Sequence, residues 1–171
     1  MPAPFTGFRL YKLDDRWRLC LPAKLEVYVK WYKPQETQEC FAAPGTGGMV
    51  VFPPAALEEH REMMARLDNE NLRPRDIGSP TYELARTGTL VWPVTISKGR
   101  LELPLEAREL GIVPPEAEAT VALVAFSGVF EVWRPEELRA QIQKSAGRWA
   151  ELRAQALRGR LSEPIPEDEA E

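Results

Sequence analysis

Metal ligands and thiols are scarce in this chain, and the scarcity excludes several functions at once. Two cysteines, Cys20 and Cys40, and one histidine, His60, stand among 171 residues. They are too few for a disulfide scaffold and make a poor zinc set. No apolar run approaches the ~20 residues of a membrane span, so no membrane partner is expected. The opening Met-Pro-Ala-Pro-Phe-Thr-Gly lacks the basic start and apolar stretch of a signal peptide, and a cytoplasmic location is expected. Catalytic constellations are missing too. Glu58-Glu59-His60 lacks the second histidine of a zinc-protease helix, Gly45–Gly48 lacks the Lys-Ser/Thr of a phosphate loop, and no Ser or Cys sits in a nucleophile elbow. The expectation is a protein that is not an enzyme and uses no metal or cofactor.

What is present is the composition of a soluble globular chain, 44% hydrophobic and 28% charged, long enough for one sizeable core or two small fused ones. The net charge of −4 hides an asymmetry. Residues 1–33 hold seven Lys/Arg against three Asp/Glu, whereas residues 161–171 hold five acids and no base. The acidic total therefore does not exclude an anionic partner at the basic N-terminal end.

The chain also says one thing twice. Arg18-Leu-Cys-Leu-Pro22 returns as Arg100-Leu-Glu-Leu-Pro104, offset by 82 residues. Val51-Phe52-Pro53-Pro54 through Leu57 returns as Val132-Trp133-Arg134-Pro135 through Leu138, offset by 81. Two anchors in the same order imply a duplicated unit of about 80 residues. The expected organisation is a first repeat over 1–73, a linker over 74–80, a second repeat over 81–143, a C-terminal helix extension over 144–160 and an acidic, disordered tail over 161–171.

Local patterns fill in the repeats. Phe8–Lys12 and Leu19–Leu21 flank the polar turn Asp14–Trp17 and predict a hairpin, with Cys20 in a packing role. Val27–Tyr32 is β-branched and aromatic and reads as a strand. Further hairpins are predicted for Phe41–Ala43 with Met49–Phe52, around Ser97-Lys98-Gly99, and for Ala119–Ala125 with Val129–Trp133. Pro53-Pro54 opens one helix, with His60 on its surface or half-buried. Leu105–Leu110 forms a short one stopped by Gly111, and Pro135 opens the longest, to about Leu157. In that last helix Leu138, Ile142, Trp149 and Leu152 make a narrow apolar seam. It suits docking on its own core or on a partner.

The stretch Lys12-Leu13-Asp14-Asp15-Arg16-Trp17-Arg18-Leu19-Cys20-Leu21-Pro22-Ala23-Lys24 resembles the signature of the MraZ family. These are two-repeat members of the AbrB/SpoVT-like, swapped-hairpin class of bacterial DNA-binding proteins. Phe5-Thr6-Gly7, Gly48–Pro53 and Phe130–Trp133 fall where that family has similar residues, so the resemblance spans about residues 5–143. It implies an α+β fold: two tandem AbrB-like swapped-hairpin repeats form an intertwined β-core with peripheral helices, followed here by the long C-terminal helix. It also implies a ring-like homo-oligomer, double-stranded promoter DNA as partner, nucleoid association, and transcription regulation of the division and cell-wall gene cluster. In the family's Asp-x-x-x-Arg element the Arg approaches phosphate or base edges while the Asp orients the turn. This chain keeps both as Asp14 and Arg18. In the second copy it keeps Arg100 but has Ile96 in the Asp position. Trp17 replaces the turn glycine that Gly99 retains, and the helical Arg appears as Arg108 but is Glu26 in the first copy.

The candidate DNA-binding residues are therefore Arg9, Lys12, Asp14, Arg16 and Arg18 around the first hairpin, with Lys24 beside them, and Lys98 and Arg100 around the second. Guanidinium groups on a rigid hairpin suit phosphate binding and bidentate readout of guanine. Asp14 either caps the turn or pairs with Arg18. Trp17 either packs at an interface with a protein partner, together with the seam Leu138, Ile142, Trp149 and Leu152, or folds back on Tyr11 or Pro22. The competing expectation is a scaffold of this kind that binds a protein, with DNA binding weakened or lost.

Overall fold

The computed structural model of the protein describes residues 9–45, 47–70, 90–126 and 128–162. The linker expected over 74–80 and residues 163–171 of the expected tail lie outside them, while Leu161 and Ser162, assigned to that tail, continue the last helix. The fold is α+β. Eight antiparallel strands run β1 Arg9–Lys12, β2 Arg18–Cys20, β3 Thr37–Pro44, β4 Met49–Phe52, β5 Trp92–Ser97, β6 Arg100–Glu102, β7 Thr120–Phe126 and β8 Val129–Trp133. The helices are α1 Leu25–Tyr28, α2 Leu57–Glu70 after a 3-10 turn at Pro54–Ala56, α3 Leu105–Glu109 and α4 Pro135–Ser162. The described residues up to Pro135 form one compact unit and those from Glu136 onward a second.

The strands make one sheet in the order β1-β7-β8-β4-β3-β5-β6-β2. Every strand of residues 9–52 pairs with one from residues 92–133: β1 with β7, β2 with β6, β3 with β5 and β4 with β8. Exchanging β1–β4 for β5–β8 maps these ladders onto one another. The ladder β1–β7 becomes β5–β3, β3–β4 becomes β7–β8, and β2–β6 and β4–β8 map onto themselves. The one missing rung is β1–β2, the counterpart of β5–β6. The two end strands meet through the turn between them, where Asp14 N–H donates to Arg18 O at 3.1 Å, so the sheet nearly closes on itself.

Alternation fixes which side chains enter the enclosed core. Leu19, Leu21, Cys40, Ala42, Met49, Val51, Val94, Ile96, Leu101, Leu103, Val121, Leu123, Phe130 and Val132 are all buried. Each large apolar side chain removed from water contributes about 1.5–3 kcal/mol. Leu13, Leu25, Val29, Tyr32, Ala107 and Val113 join the same cluster from the turns and short helices.

The hairpins at β3–β4, β5–β6 and β7–β8 form as the sequence predicts. Three local readings are corrected. The hairpin predicted for Phe8–Lys12 with Leu19–Leu21 is not made by β1 and β2, whose ladders are with β7 and β6 instead; Phe8 itself lies outside the described residues. Val27–Tyr32 is not a strand. Leu25–Tyr28 is helical, and Leu25, Val29 and Tyr32 are buried at helical spacing, so tertiary packing overrides the β-propensity of the run. Cys20 is exposed rather than packed, because Leu19 and Leu21 take the inward positions on either side of it.

Candidate nucleic-acid interface

The register of β2 on β6 places Arg18 opposite Glu102, Leu19 opposite Leu101 and Cys20 opposite Arg100. Leu19 and Leu101 point inward and are fully buried, so Arg18, Cys20, Arg100 and Glu102 occupy the outer face. A turn closes each end of this short ribbon: Asp14-Asp15-Arg16-Trp17 at one, with two acids and one base, and the basic Lys98-Gly99 at the other. At one end Leu103 N–H donates to Trp17 O at 3.0 Å, and at the other Leu21 N–H donates to Gly99 O at 2.7 Å. Arg16 is exposed in the first turn and Lys98 in the second.

The two turns are built differently. In the first, Asp14 Oδ1 accepts the backbone N–H groups of Arg16 and Arg18, both at 2.9 Å, and Oδ2 accepts Arg18 Nε at 2.7 Å. Asp14 thus caps the turn and pairs with Arg18 at the same time. The backbone N–H of Arg18 is the largest influence holding the Asp14 carboxyl below its ordinary pKa; partial desolvation opposes it, and Arg16 N–H and the Arg18 side chain add to it. Arg18 is held by Nε, which leaves its two terminal nitrogens to donate elsewhere. The second turn is a two-residue loop, Lys98-Gly99, with φ +49° and +79°, the geometry of a tight hairpin turn. Ile96, in the Asp14 position, is buried in the core, so Arg100 has no such carboxylate beneath it.

Trp17 holds φ +55°, a left-handed conformation that costs a non-glycine residue about 1–2 kcal/mol. Its indole compensates by folding back within the chain. Nε1–H donates to Pro115 O at 2.9 Å, and the Arg108 guanidinium lies 4.2 Å from the ring centroid, a cation–π contact worth about 0.5–2 kcal/mol. Both partners are some 90 residues distant in sequence, which is why local patterning misses them. Arg108 is thereby stacked against the turn.

The structure brings Asp14, Arg16, Arg18, Lys98 and Arg100 together around the β2–β6 ribbon. Arg9 and Lys12 are exposed on β1, laddered to β7 instead. Lys24 is exposed just before α1. Two residues of the outer face, Cys20 and Glu102, were missed as site neighbours, although strand alternation places them there.

Elsewhere His60 stacks on Phe52 at 4.7 Å between centroids, and burial lowers its pKa. Among the described residues no group of three His, Cys, Asp or Glu side chains could hold a metal ion, and no helix is long and apolar enough to cross a membrane. Within α4, Leu138 is buried whereas Ile142, Trp149 and Leu152 are 44%, 72% and 49% exposed. The chain matches no protein-family model and no curated protein.

Proposed function

We propose that this protein is a DNA-binding transcriptional regulator resembling MraZ, which acts as a homo-oligomer on direct repeats in promoter DNA. The division and cell-wall gene cluster is the target that the resemblance implies. The observation that carries the reading is the β2–β6 ribbon, with Arg18 and Arg100 on one outer face and an exposed cation, Arg16 or Lys98, in the turn at each end. In the major groove an arginine makes its commonest specific contact, a bidentate pair with guanine. Asp14 pre-orients Arg18, so less side-chain freedom is lost on binding. Exposed Ile142, Trp149 and Leu152 on α4 support self-association, and linked chains would raise the effective concentration of each weak contact.

The test is fluorescence anisotropy with DNA from upstream of the protein's own gene, beside scrambled DNA, at about 50 and 200 mM salt. Tight binding that prefers the native DNA and weakens in Arg18→Ala more than in Arg100→Ala supports the proposal, because Arg18 alone has its carboxylate. Binding equal for both DNAs and gone at the higher salt counts against it.

A second reading follows from the same exposed seam of α4. The protein would be a scaffold for a protein partner, with DNA binding weakened or lost. Trp17 contributes little to that surface, since Pro115 and Arg108 engage its ring.

A further inference from the structure

The β2–β6 ribbon has a local two-fold axis. With the 82-residue offset, the pair Arg18–Glu102 becomes Arg100–Cys20, and the central pair Leu19–Leu101 maps onto itself. The flanking hydrogen bonds obey the same operation, since Leu21 N–H to Gly99 O becomes Leu103 N–H to Trp17 O. On the opposite side of the sheet, β4 and β8 pair symmetrically about Val50–Glu131 with the 81-residue offset: Met49 opposite Val132 becomes Phe130 opposite Val51. One chain therefore carries two outward arginines related by an approximate dyad.

Duplex DNA has dyads of its own, perpendicular to its axis, because its strands are antiparallel. A two-fold ribbon lying in a groove makes equivalent contacts on both sides only when its dyad coincides with one of these. Arg18 and Arg100 then face symmetry-related positions on opposite strands. They are diagonal neighbours across the ladder, so their Cα atoms lie roughly 7–8 Å apart, about two base-pair steps at 3.4 Å each. Side-chain reach widens the span to about two to four steps. We infer that each chain reads a short, approximately inverted DNA element, with a guanine on each strand flanking its centre; this rests on the DNA-binding reading above. The two halves are unequal. Arg18 is held by Asp14 and lies opposite Glu102, whereas Arg100 lacks a carboxylate support and lies opposite Cys20. The half facing Arg18 is read more strictly. Direct repeats of such an element would serve successive chains of an oligomer.

The test is in vitro selection of the full-length protein on a random duplex pool, followed by anisotropy on the enriched duplex with each half mutated in turn. Arg18→Ala and Arg100→Ala are crossed with those duplexes, and Arg18→Lys serves as a variant that keeps the charge but loses the fork; circular dichroism checks their folding. The expected result is an enriched core with inverted symmetry. Mutating one half weakens wild-type binding about 5- to 150-fold, and each alanine variant loses discrimination at one half only. Enrichment of a core without inverted symmetry, or loss of discrimination at the same half in both alanine variants, overturns the dyad while leaving the DNA-binding reading in place. Absence of any enrichment overturns both.

Discussion

Trp17 and Gly99 stand at equivalent turn positions, and both have positive φ. Glycine adopts that conformation freely, while tryptophan needs compensation. Here it comes from the Pro115 carbonyl and the Arg108 guanidinium. Trp17→Gly relieves the backbone but loses a hydrogen bond worth about 1 kcal/mol, the cation–π contact and part of the ring's burial. The expected net effect is a destabilisation of roughly 1–3 kcal/mol, read from urea unfolding midpoints; an unchanged or higher midpoint would mean the indole contacts contribute nothing. The substitution is visible in the sequence as a departure from the repeat, but its partners are not, since only the fold brings residues 108 and 115 to the first turn. Glu131 offers a second test at this scale. It is buried on β8 and accepts a hydrogen bond from Trp133 Nε1 at 2.6 Å. Burial raises its pKa, and the Trp133 bond only partly opposes this. The folded state therefore holds this proton more tightly than the unfolded state, so stability falls as pH rises from the ordinary glutamate value of 4.5 through the raised folded value. Glu131→Gln removes the charge and keeps an acceptor for Trp133. Its melting temperature should gain on the wild type across that window and hold the gain above it. A constant difference at every pH would show that Glu131 contributes no such slope.

Local chemistry makes some elements legible and hides others. The β3–β4, β5–β6 and β7–β8 hairpins follow from alternation around glycine-containing turns, and α3 ends at Gly111, where φ is +71°. The β1–β2 pairing is misread because sequence neighbours are the default partners for strands. The core positions Leu13 and Leu19 are instead satisfied when β1 joins β7 and β2 joins β6. The α1 helix is misread because the β-propensity of Val27–Tyr32 conceals the helical spacing of Leu25, Val29 and Tyr32. Pairing across the two halves has a measurable consequence. Leu19 and Leu101 are fully buried partners on the local axis, and each fills its side of the core in an equivalent way. Leu19→Ala and Leu101→Ala should each cost about 2–5 kcal/mol and agree within about 1 kcal/mol in denaturant unfolding. A large inequality would mean that the two strands are not energetically equivalent, whatever their register.

Across the whole molecule, the four cations of the ribbon and its turns, Arg16, Arg18, Lys98 and Arg100, coexist with an acidic net charge of −4. The contrast matters for function because DNA responds to the local field within about 8–10 Å at physiological salt rather than to the total charge. The candidate basic residues were legible from their clustering around two copies of one motif; their convergence on a single two-fold ribbon was not, since it depends on β2 pairing with β6 across 82 residues. That convergence sets an expected salt dependence. If Arg16 and Lys98, in the turns that flank the guanine-reading arginines, each neutralise one phosphate, the logarithm of the affinity falls against the logarithm of salt concentration with a slope of about −1.8 per chain. Lys98→Ala should reduce the magnitude of that slope by about 0.9, as should Arg16→Ala, because each removes one cation from the same surface. Lys12→Ala should change it less, since Lys12 lies on β1, laddered to β7. Anisotropy titrations over a salt series would measure all four proteins together. Slopes that scale with the removed cations place the contact on the β2–β6 ribbon. A wild-type slope near zero, or one that only Lys12→Ala reduces, takes DNA off that face and leaves the exposed seam of α4 as the working surface.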